Sequence, residues 1–139
     1  MPIAPLPLVL ASTSPTRREL LARLTVHFEC CAPQVDESAL PGEAPTAMAQ
    51  RLAAAKAAAV APDHPGHLII GSDQVAVVGG RVLGKPGDRP RAAEQLALAS
   101  GKTMVFETSV CLLNTMTGLS STRLVPFEVT LRRLTPAEI

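Results

Sequence analysis

The chain has few aromatic side chains, almost no net charge and no long apolar run. It contains no Trp or Tyr and only three Phe in 139 residues, so its core must consist of aliphatic side chains. The formal net charge is +1 and no basic run is present, which leaves no electrostatic basis for binding nucleic acid. No apolar stretch approaches the roughly 20 residues of a membrane-spanning helix. We therefore expect neither nucleic acid nor a membrane as a partner.

The first residues, MPIAPLPLVLAS, are interrupted by prolines and lack a charged segment. This pattern differs from that of a secretory signal peptide, so we expect a cytoplasmic protein. The three cysteines show no metal-ligand spacing and are expected to be reduced thiols in the core. The phenylalanines are likewise expected at core positions of strands. These six residues are Cys30, Cys31, Cys111, Phe28, Phe106 and Phe127.

A chain of 14.5 kDa has the size of one domain and buries roughly two-thirds of its unfolded surface. Its apolar patterns alternate between strand and helix types, which predicts a mixed α/β domain. The strands are predicted at residues 8–11, 26–31, 67–78, 82–86, 102–114 and 119–133. The helices are predicted from residue 15, at residues 46–61 and at residues 89–100, with Asp88 as the cap of the last one.

Near the N terminus, the segment LVLASTSPTRRELL predicts a short buried strand, a hydroxyl-rich turn and the start of a helix. Ser14 is a favourable N-cap, and Pro15 suits the first helical position, where its missing N–H costs nothing. Such a turn gathers free backbone N–H groups at the positive end of a helix dipole. With Ser12, Arg17 and Arg18 it has the composition of a polyphosphate site. An ordinary capped helix with two solvated arginines explains the same residues equally well.

A second segment, HLIIGSDQVAVV, is typical of a long strand and contains a carboxylate. Strand alternation places Asp73 on the same face as Gly71 and Val75, and Gln74 on the other face. A buried carboxylate is costly unless it is paired or bound to a cation, and such groups concentrate at functional sites. A structural aspartate held by backbone amides or an arginine is the alternative. Lys85, on the predicted return strand just before a Gly-Asp loop, points either towards Asp73 or into water.

Five features of the chain occur in the order found in a known family. They are SxSPxRR at residues 12–18, VDE at 35–37, the helical Lys56, GSDQV at 71–75 and GKP at 84–86. Together they resemble the Maf (septum formation inhibitor) family of nucleoside triphosphate pyrophosphatases, from about Leu8 to Ile139. The Ser-Asp-Gln of residues 72–74 resembles the 7-methyl-GTP pyrophosphatase branch in particular.

The resemblance implies an α/β fold with a mixed, elongated sheet flanked by helices, as in inosine triphosphate pyrophosphatases. It also implies hydrolysis of the α–β phosphate bond of a nucleoside triphosphate, giving a nucleoside monophosphate and pyrophosphate. The implied cofactor is a divalent metal cation, magnesium or manganese. Family members often pair, so a homodimer stays an open alternative.

The motifs also imply roles for individual residues. Asp73 is the implied catalytic residue, the proton acceptor that activates a water molecule. Glu37 is the implied metal ligand, with a solvated loop acid as the alternative. Without the resemblance, Lys56 would be a surface lysine of an alanine-rich helix. The residues implied to bind the substrate are Ser12, Ser14, Thr16, Arg17, Arg18, Lys56, Gln74 and Lys85.

The resemblance to the branch implies 7-methyl-GTP as the substrate of a house-cleaning enzyme. Gln74 has the donors and acceptor to bind a base edge, and Thr16 occupies a specificity position where members tend to carry an aromatic residue. A methylated guanine is cationic and favours an aromatic face, yet the chain has no Trp or Tyr. Another canonical or modified nucleotide, such as UTP or dTTP, is therefore the alternative substrate.

The last residues, from Thr135 to Glu138, have the pattern of a helix start, with an N-cap, a proline and a capping-box glutamate. Members of the family typically run further. We therefore expect residues 1–139 to form a single Maf-like domain that lacks its C-terminal third. Under that expectation, a non-catalytic remnant that still binds a nucleotide is the alternative function.

Overall fold

The secondary structure follows the predicted order of strands and helices. A computed structural model of the chain describes residues 6–24, 27–84 and 86–139. The strands are β1 (Leu8–Leu10), β2 (Glu29–Cys30), β3 (Leu68–Val78), β4 (Arg81–Leu83), β5 (Thr103–Asn114) and β6 (Ser120–Thr130). The helices are α1 (Pro15–Ala22), α2 (Pro45–Val60) and α3 (Arg89–Ala99), and a 3-10 turn at Ala61–Asp63 follows α2.

The described strands form one mixed sheet with the order β2-β1-β3-β5-β6, and β4 pairs with β3 at one end. β1 runs parallel to both β2 and β3, whereas β3, β5 and β6 are antiparallel neighbours. The prediction of a mixed α/β domain is thereby confirmed. Since β1 and β3 are parallel neighbours, the turn that follows β1 lies beside the middle of β3.

The helix ends have the chemistry that the sequence predicts. Ser14 Oγ accepts a hydrogen bond from the Arg17 backbone N–H at 3.3 Å, and Asp88 Oδ1 accepts one from the Arg91 N–H at 2.9 Å. Gly101 follows α3 with a φ of +69°, a left-handed conformation that glycine adopts without strain. Within the described ranges, no helix combines the length and the apolar character that crossing a membrane requires.

The core lies where α2 packs on one face of β3 and β5. The helix contacts the sheet through small side chains, and the Cα of Gly71 in β3 lies directly beneath it. A Cβ added at Gly71 would lie 2.1 Å from the Ala53 carbonyl oxygen and 2.7 Å from the Ala57 nitrogen. The absence of a side chain at Gly71 therefore allows the helix backbone to touch the sheet. The buried apolar residues of α2 are Ala49, Leu52, Ala53, Ala57 and Val60.

The opposite face of the sheet has a different environment. Phe127 pairs with Phe106 across β5 and β6, and both alternate away from the face that α2 covers. Phe127 is 64% exposed, so the prediction that it is a core residue is wrong. The prediction of a core thiol is confirmed for Cys111 but wrong for Cys30, which is exposed because β2 is an edge strand of two residues.

Three predicted strands are markedly shorter in the structure, and two of them are the return strand, which ends at Leu83, and the last strand, which ends at Thr130. The strand predicted at residues 26–31 comprises only Glu29–Cys30, and Val26 lies outside the described residues. At the end of the sequence, the Glu138 N–H donates to Thr135 Oγ1 at 3.3 Å, and the Thr135 N–H donates to Glu138 Oε1 at 3.1 Å. This reciprocal capping pair closes a single turn rather than a helix, since one turn contains too few hydrogen bonds to sustain helical structure.

Gly71→Ala is expected to lower the free energy of unfolding by about 1–3 kcal/mol, because the new Cβ would overlap the α2 backbone. Urea unfolding measures this loss. Gly84→Ala is the matched control, since nothing lies within 4 Å of its added Cβ. The control should change the free energy of unfolding by less than about 0.5 kcal/mol. Equal stability of the two variants would contradict the close packing of α2 on β3.

Candidate active site

The centre of the candidate site is an ion pair between β3 and α2. Asp73 lies on the same face of β3 as Gly71, two residues further along the strand. Its Oδ1 atom is 2.9 Å from Nζ of Lys56, and the two side chains are 8% and 11% exposed. A buried carboxylate and a buried ammonium each need an opposite charge, and here they supply it to each other. Lys56 is therefore not the surface lysine that its alanine-rich helix suggests.

Glu37 provides a second carboxylate for the same ammonium group. Its Oε1 atom lies 2.9 Å from Lys56 Nζ, and its side chain is 62% exposed. An ammonium group has three N–H donors, so two carboxylate contacts leave one donor for an incoming anion. The loop residue Glu37, the helix residue Lys56 and the strand residue Asp73 thus form one charged cluster at the edge of the core.

The loop that carries Glu37 is fastened to α2 by two residues that the sequence analysis did not single out. Arg51 Nε and Nη2 donate to the two oxygens of Glu43 at 2.6 and 3.0 Å. Nη2 also donates to the carbonyl of Ser38 at 3.0 Å, and the Leu40 N–H donates to Glu43 Oε1 at 3.2 Å. These contacts hold the loop at Ser38, Leu40 and Glu43. No pattern in the sequence predicts them, because they depend on the path of the loop.

The turn after β1 lies on the other side of the cluster. A cleft of about 190 Å³ separates the turn from Lys56 and Glu37. Arg17 points into it from the first turn of α1 and is half-buried. The structure therefore brings together the turn, one arginine and the charged cluster. The cleft is lined by Ala11, Ser12, Thr13, Ser14, Arg17, Pro33, Val35, Glu37 and Lys56.

The backbone of the turn is less available to an anion than the sequence analysis expects. The Ser14 N–H donates to Ser12 Oγ at 3.0 Å, and the Arg17 N–H donates to Ser14 Oγ. The Arg18 N–H already bonds the Ser14 carbonyl at 3.1 Å. The serine side chains thus occupy N–H groups that were expected to be free. Cationic side chains and hydroxyl groups must supply more of any phosphate binding.

A second cleft of about 510 Å³ continues from the first. The two clefts share Arg17, Glu37 and Lys56, so they form one continuous groove. The second cleft adds Asp73 and Gln74 at its polar end, and its walls are mostly apolar. A groove with one charged end and apolar walls has room for a nucleotide. The apolar wall residues are Met48, Leu52, Val75, Ala76, Val82 and Leu83.

Two candidate residues of the SxSPxRR motif, Thr16 and Arg18, lie away from this groove. Arg18 is exposed and lines a separate groove of about 260 Å³ on the far side of the turn, together with Cys30. Thr16 is exposed and lines neither part of the groove around Lys56. The amide of Gln74 donates to Thr108 Oγ1 at 2.9 Å. Lys85 lies outside the described residues.

A larger cavity of about 720 Å³ lies between β4 and α3. It is lined by basic and apolar side chains together with Glu94 and Gln95, and it contains none of the candidate residues that the structure describes. The buried charged side chains Lys56 and Asp73 line the groove described above and not this cavity.

The donor set of the groove suits a cation that arrives with a phosphate substrate. Within residues 6–24, 27–84 and 86–139, no three His, Cys, Asp or Glu side chains are grouped closely enough to hold a metal ion by themselves. Glu37 and Asp73 nevertheless both contact Lys56 Nζ and offer hard carboxylate oxygens. Magnesium typically binds one or two carboxylates, completing its shell with phosphate oxygens and water. The residues present fit that mode of binding.

Comparison with known proteins agrees with the geometry. Residues 7–139 match the Maf-like protein family. The chain belongs to the Maf family. It is 53% identical to the 7-methyl-GTP pyrophosphatase of Pseudomonas fluorescens strain Pf-5, over 96% of this chain and 70% of that relative. It is 55% identical to the Alcanivorax borkumensis protein of that name, over 95% of this chain and 67% of the relative. For the one from Nitrosococcus oceani the identity is 52%, over 98% and 68%.

The family resemblance drawn from the five sequence features is thereby confirmed. All described site residues of the Maf domain fall inside the matched range, from Ser12 in the turn to Gln74 in β3. Their individual roles in catalysis and binding stay predictions.

Lys56→Met is expected to lower the free energy of unfolding by about 3 kcal/mol, because the buried Asp73 carboxylate would lose its ammonium partner. The double variant Lys56→Met/Asp73→Asn should recover at least half of that loss, since no unpaired charge remains. Urea unfolding of the two single variants and the double variant measures the coupling. The exposed Lys102→Met serves as control, and a loss for Lys56→Met no larger than for this control would contradict a buried pair.

The clamp between Arg51 and Glu43 is expected to weaken in acid. Hydrogen bonds from Arg51 lower the pKa of Glu43 from its ordinary value of 4.5. The stabilisation by this carboxylate is therefore complete above pH 4.5 and is lost as the pH falls through the lowered pKa. The Leu40 amide resonance, which reports on the Glu43 carboxylate, should titrate with a midpoint below 4.5. Arg51→Gln should move that midpoint upwards, and an unmoved midpoint would contradict the clamp.

Proposed function

We propose that this Maf-family chain hydrolyses 7-methyl-GTP between its α and β phosphates, giving the nucleoside monophosphate and pyrophosphate. The observation that carries the proposal is the buried Lys56–Asp73 pair at the floor of a groove that Arg17 also lines. The printed names of the relatives, 7-methyl-GTP pyrophosphatase, support the same reaction and substrate. We place the reaction in the cytoplasm, where nucleoside triphosphates are made and used.

The positive side chains of the groove would bind the triphosphate. Arg17 offers a planar fork of N–H donors that matches phosphate oxygens, and Lys56 offers the ammonium donor that its two carboxylates leave over. The hydroxyl groups of Ser12 and Ser14 lie on the opposite wall. Phosphoanhydride hydrolysis depends mainly on positioning and charge neutralisation, and these groups supply both.

Asp73 would act on the attacking water. Its carboxylate accepts the proton while the water oxygen bonds to phosphorus and the α–β bridge bond breaks, so that pyrophosphate leaves. Lys56 holds Asp73 in place through the 2.9 Å contact and balances the charge that builds up on the phosphate oxygens. Magnesium or manganese, held through Glu37 and Asp73, would supply further positive charge against the phosphates.

A second substrate class has its own support in the structure. The described lining of the groove contains no aromatic side chain, and Thr16 lies away from it. A cationic methylated base would therefore find no aromatic face there. Gln74, at the rim, offers hydrogen bonds to a base of either kind. A pyrophosphatase for another nucleotide, such as UTP or dTTP, is the alternative that this observation favours.

Pyrophosphate release by the purified chain with magnesium tests the proposal. The substrates are 7-methyl-GTP, GTP, UTP, dTTP and CTP, each with unaltered chain, Asp73→Asn and Asp36→Asn. We expect turnover of 7-methyl-GTP to fall at least a hundredfold in Asp73→Asn, because removal of a general base typically costs about 10²–10⁴-fold. Asp36→Asn, which alters an exposed carboxylate one residue from Glu37, should keep most of the activity.

Each result has a distinct meaning. Faster turnover of UTP or dTTP than of 7-methyl-GTP would replace the proposed substrate by the alternative. Nucleotide binding without turnover would replace the enzyme by a binding protein. Equal turnover in the two aspartate variants would show that Asp73 is not the base.

A further inference from the structure

Two buried polar atoms of the sheet have no hydrogen-bond partner. Among the described side chains, these are Ser109 Oγ and Glu107 Oε2. Ser109 is 0% exposed. Buried hydroxyl groups in native proteins nearly always form a hydrogen bond, so an unpaired one needs an explanation. Neither residue belongs to the motifs that predict the site.

The strand register places Ser109 opposite the candidate base. Asp73 of β3 and Ser109 of β5 are directly paired, as are Gly71 and Cys111. Gly71 lies under α2, so paired residues two positions away share that covered face. Opposite residues of antiparallel strands have Cβ atoms about 4.5–5.5 Å apart. The Ser109 hydroxyl and the Asp73 carboxylate therefore occupy neighbouring positions on the same covered face.

The backbone at this point is held from the other face of the sheet. Ser72 Oγ donates a hydrogen bond to the Ser109 carbonyl at 2.9 Å. The continuous pairing of β3 with β5 fixes the register there independently of this hydrogen bond, so a turn about χ1 of Ser109 is the movement that brings its hydroxyl towards Asp73. The other unpaired atom, on Glu107, belongs to a carboxylate, which accepts hydrogen bonds when ionised and cannot donate one to Asp73.

We propose that Ser109 is a positioning residue, whose hydroxyl donates a hydrogen bond to the Asp73 carboxylate when a triphosphate engages Lys56. This inference rests on the proposed function. In the structure Asp73 Oδ1 is anchored by Lys56, which is also in contact with Glu37. A phosphate group that binds the Lys56 ammonium weakens the contact between Lys56 and Asp73. This happens in the step in which the Asp73 carboxylate must face the attacking water. A hydrogen bond from the Ser109 hydroxyl then holds the Asp73 carboxylate in place of the Lys56 contact.

The proposal is tested by steady-state kinetics of Ser109→Ala, Ser109→Thr and Ser72→Ala. Ser109→Ala should lower kcat about tenfold, as expected for a lost hydrogen bond to a charged group, while KM changes less than twofold. Ser109→Thr keeps the hydroxyl and should regain most of kcat. Ser72→Ala is the matched control, because it removes a buried serine hydroxyl from the same strand pair on the opposite face. It should lower stability in urea while kcat stays within twofold.

Three outcomes would overturn the role of Ser109. They are an unchanged kcat in Ser109→Ala, a failure of Ser109→Thr to exceed Ser109→Ala, and an equal loss of kcat in Ser72→Ala, which would indicate a merely structural effect. These results require an active unaltered chain, so they leave the proposed function standing. An unaltered chain without turnover would instead refute the proposed function and this inference together.

Discussion

The contact between Gly71 and the backbone of α2 is the constraint on which the site depends. A side chain at this position would overlap the Ala53 carbonyl, so the helix reaches the sheet only because a glycine lies beneath it. The buried alanines of α2 also allow this close packing, because their side chains are small. The short distance between α2 and β3 then allows the ion pair of the site to form, because Lys56 and Asp73 can meet only if the helix and the strand are this close.

The electrostatics of the groove follow from that approach. One buried ammonium lies between two carboxylates, one on the sheet and one on a loop. The loop would not hold Glu37 there by itself, because its side chain is largely exposed. Arg51 and Glu43 fasten the loop to the same helix, so α2 positions both carboxylates relative to each other. The cluster carries more negative than positive side chains, which suits a cation brought in with the substrate.

Much of the fold and part of the site could be predicted from local pattern. Ser14 and Asp88 cap helices because capping depends on neighbouring residues only, and the GSDQV strand alternates as expected. The exposure of Phe127 and Cys30 could not be predicted, since apolar character does not tell which face of a sheet is covered. Thr16 and Arg18 belong to the same motif as Arg17, but helical rotation directs the three side chains to different surfaces.

By itself, the sequence determined the family, the order of strands and helices, and the residue types that carry charge. These properties depend on neighbouring residues or on motifs in a set order. Tertiary structure alone decided that Lys56 is buried, that Arg51 clamps the loop and that Ser109 lies opposite Asp73. Each of these facts joins residues far apart in the chain. The packing of α2 and the register of β3 with β5 bring them together, and both arise only when the core closes.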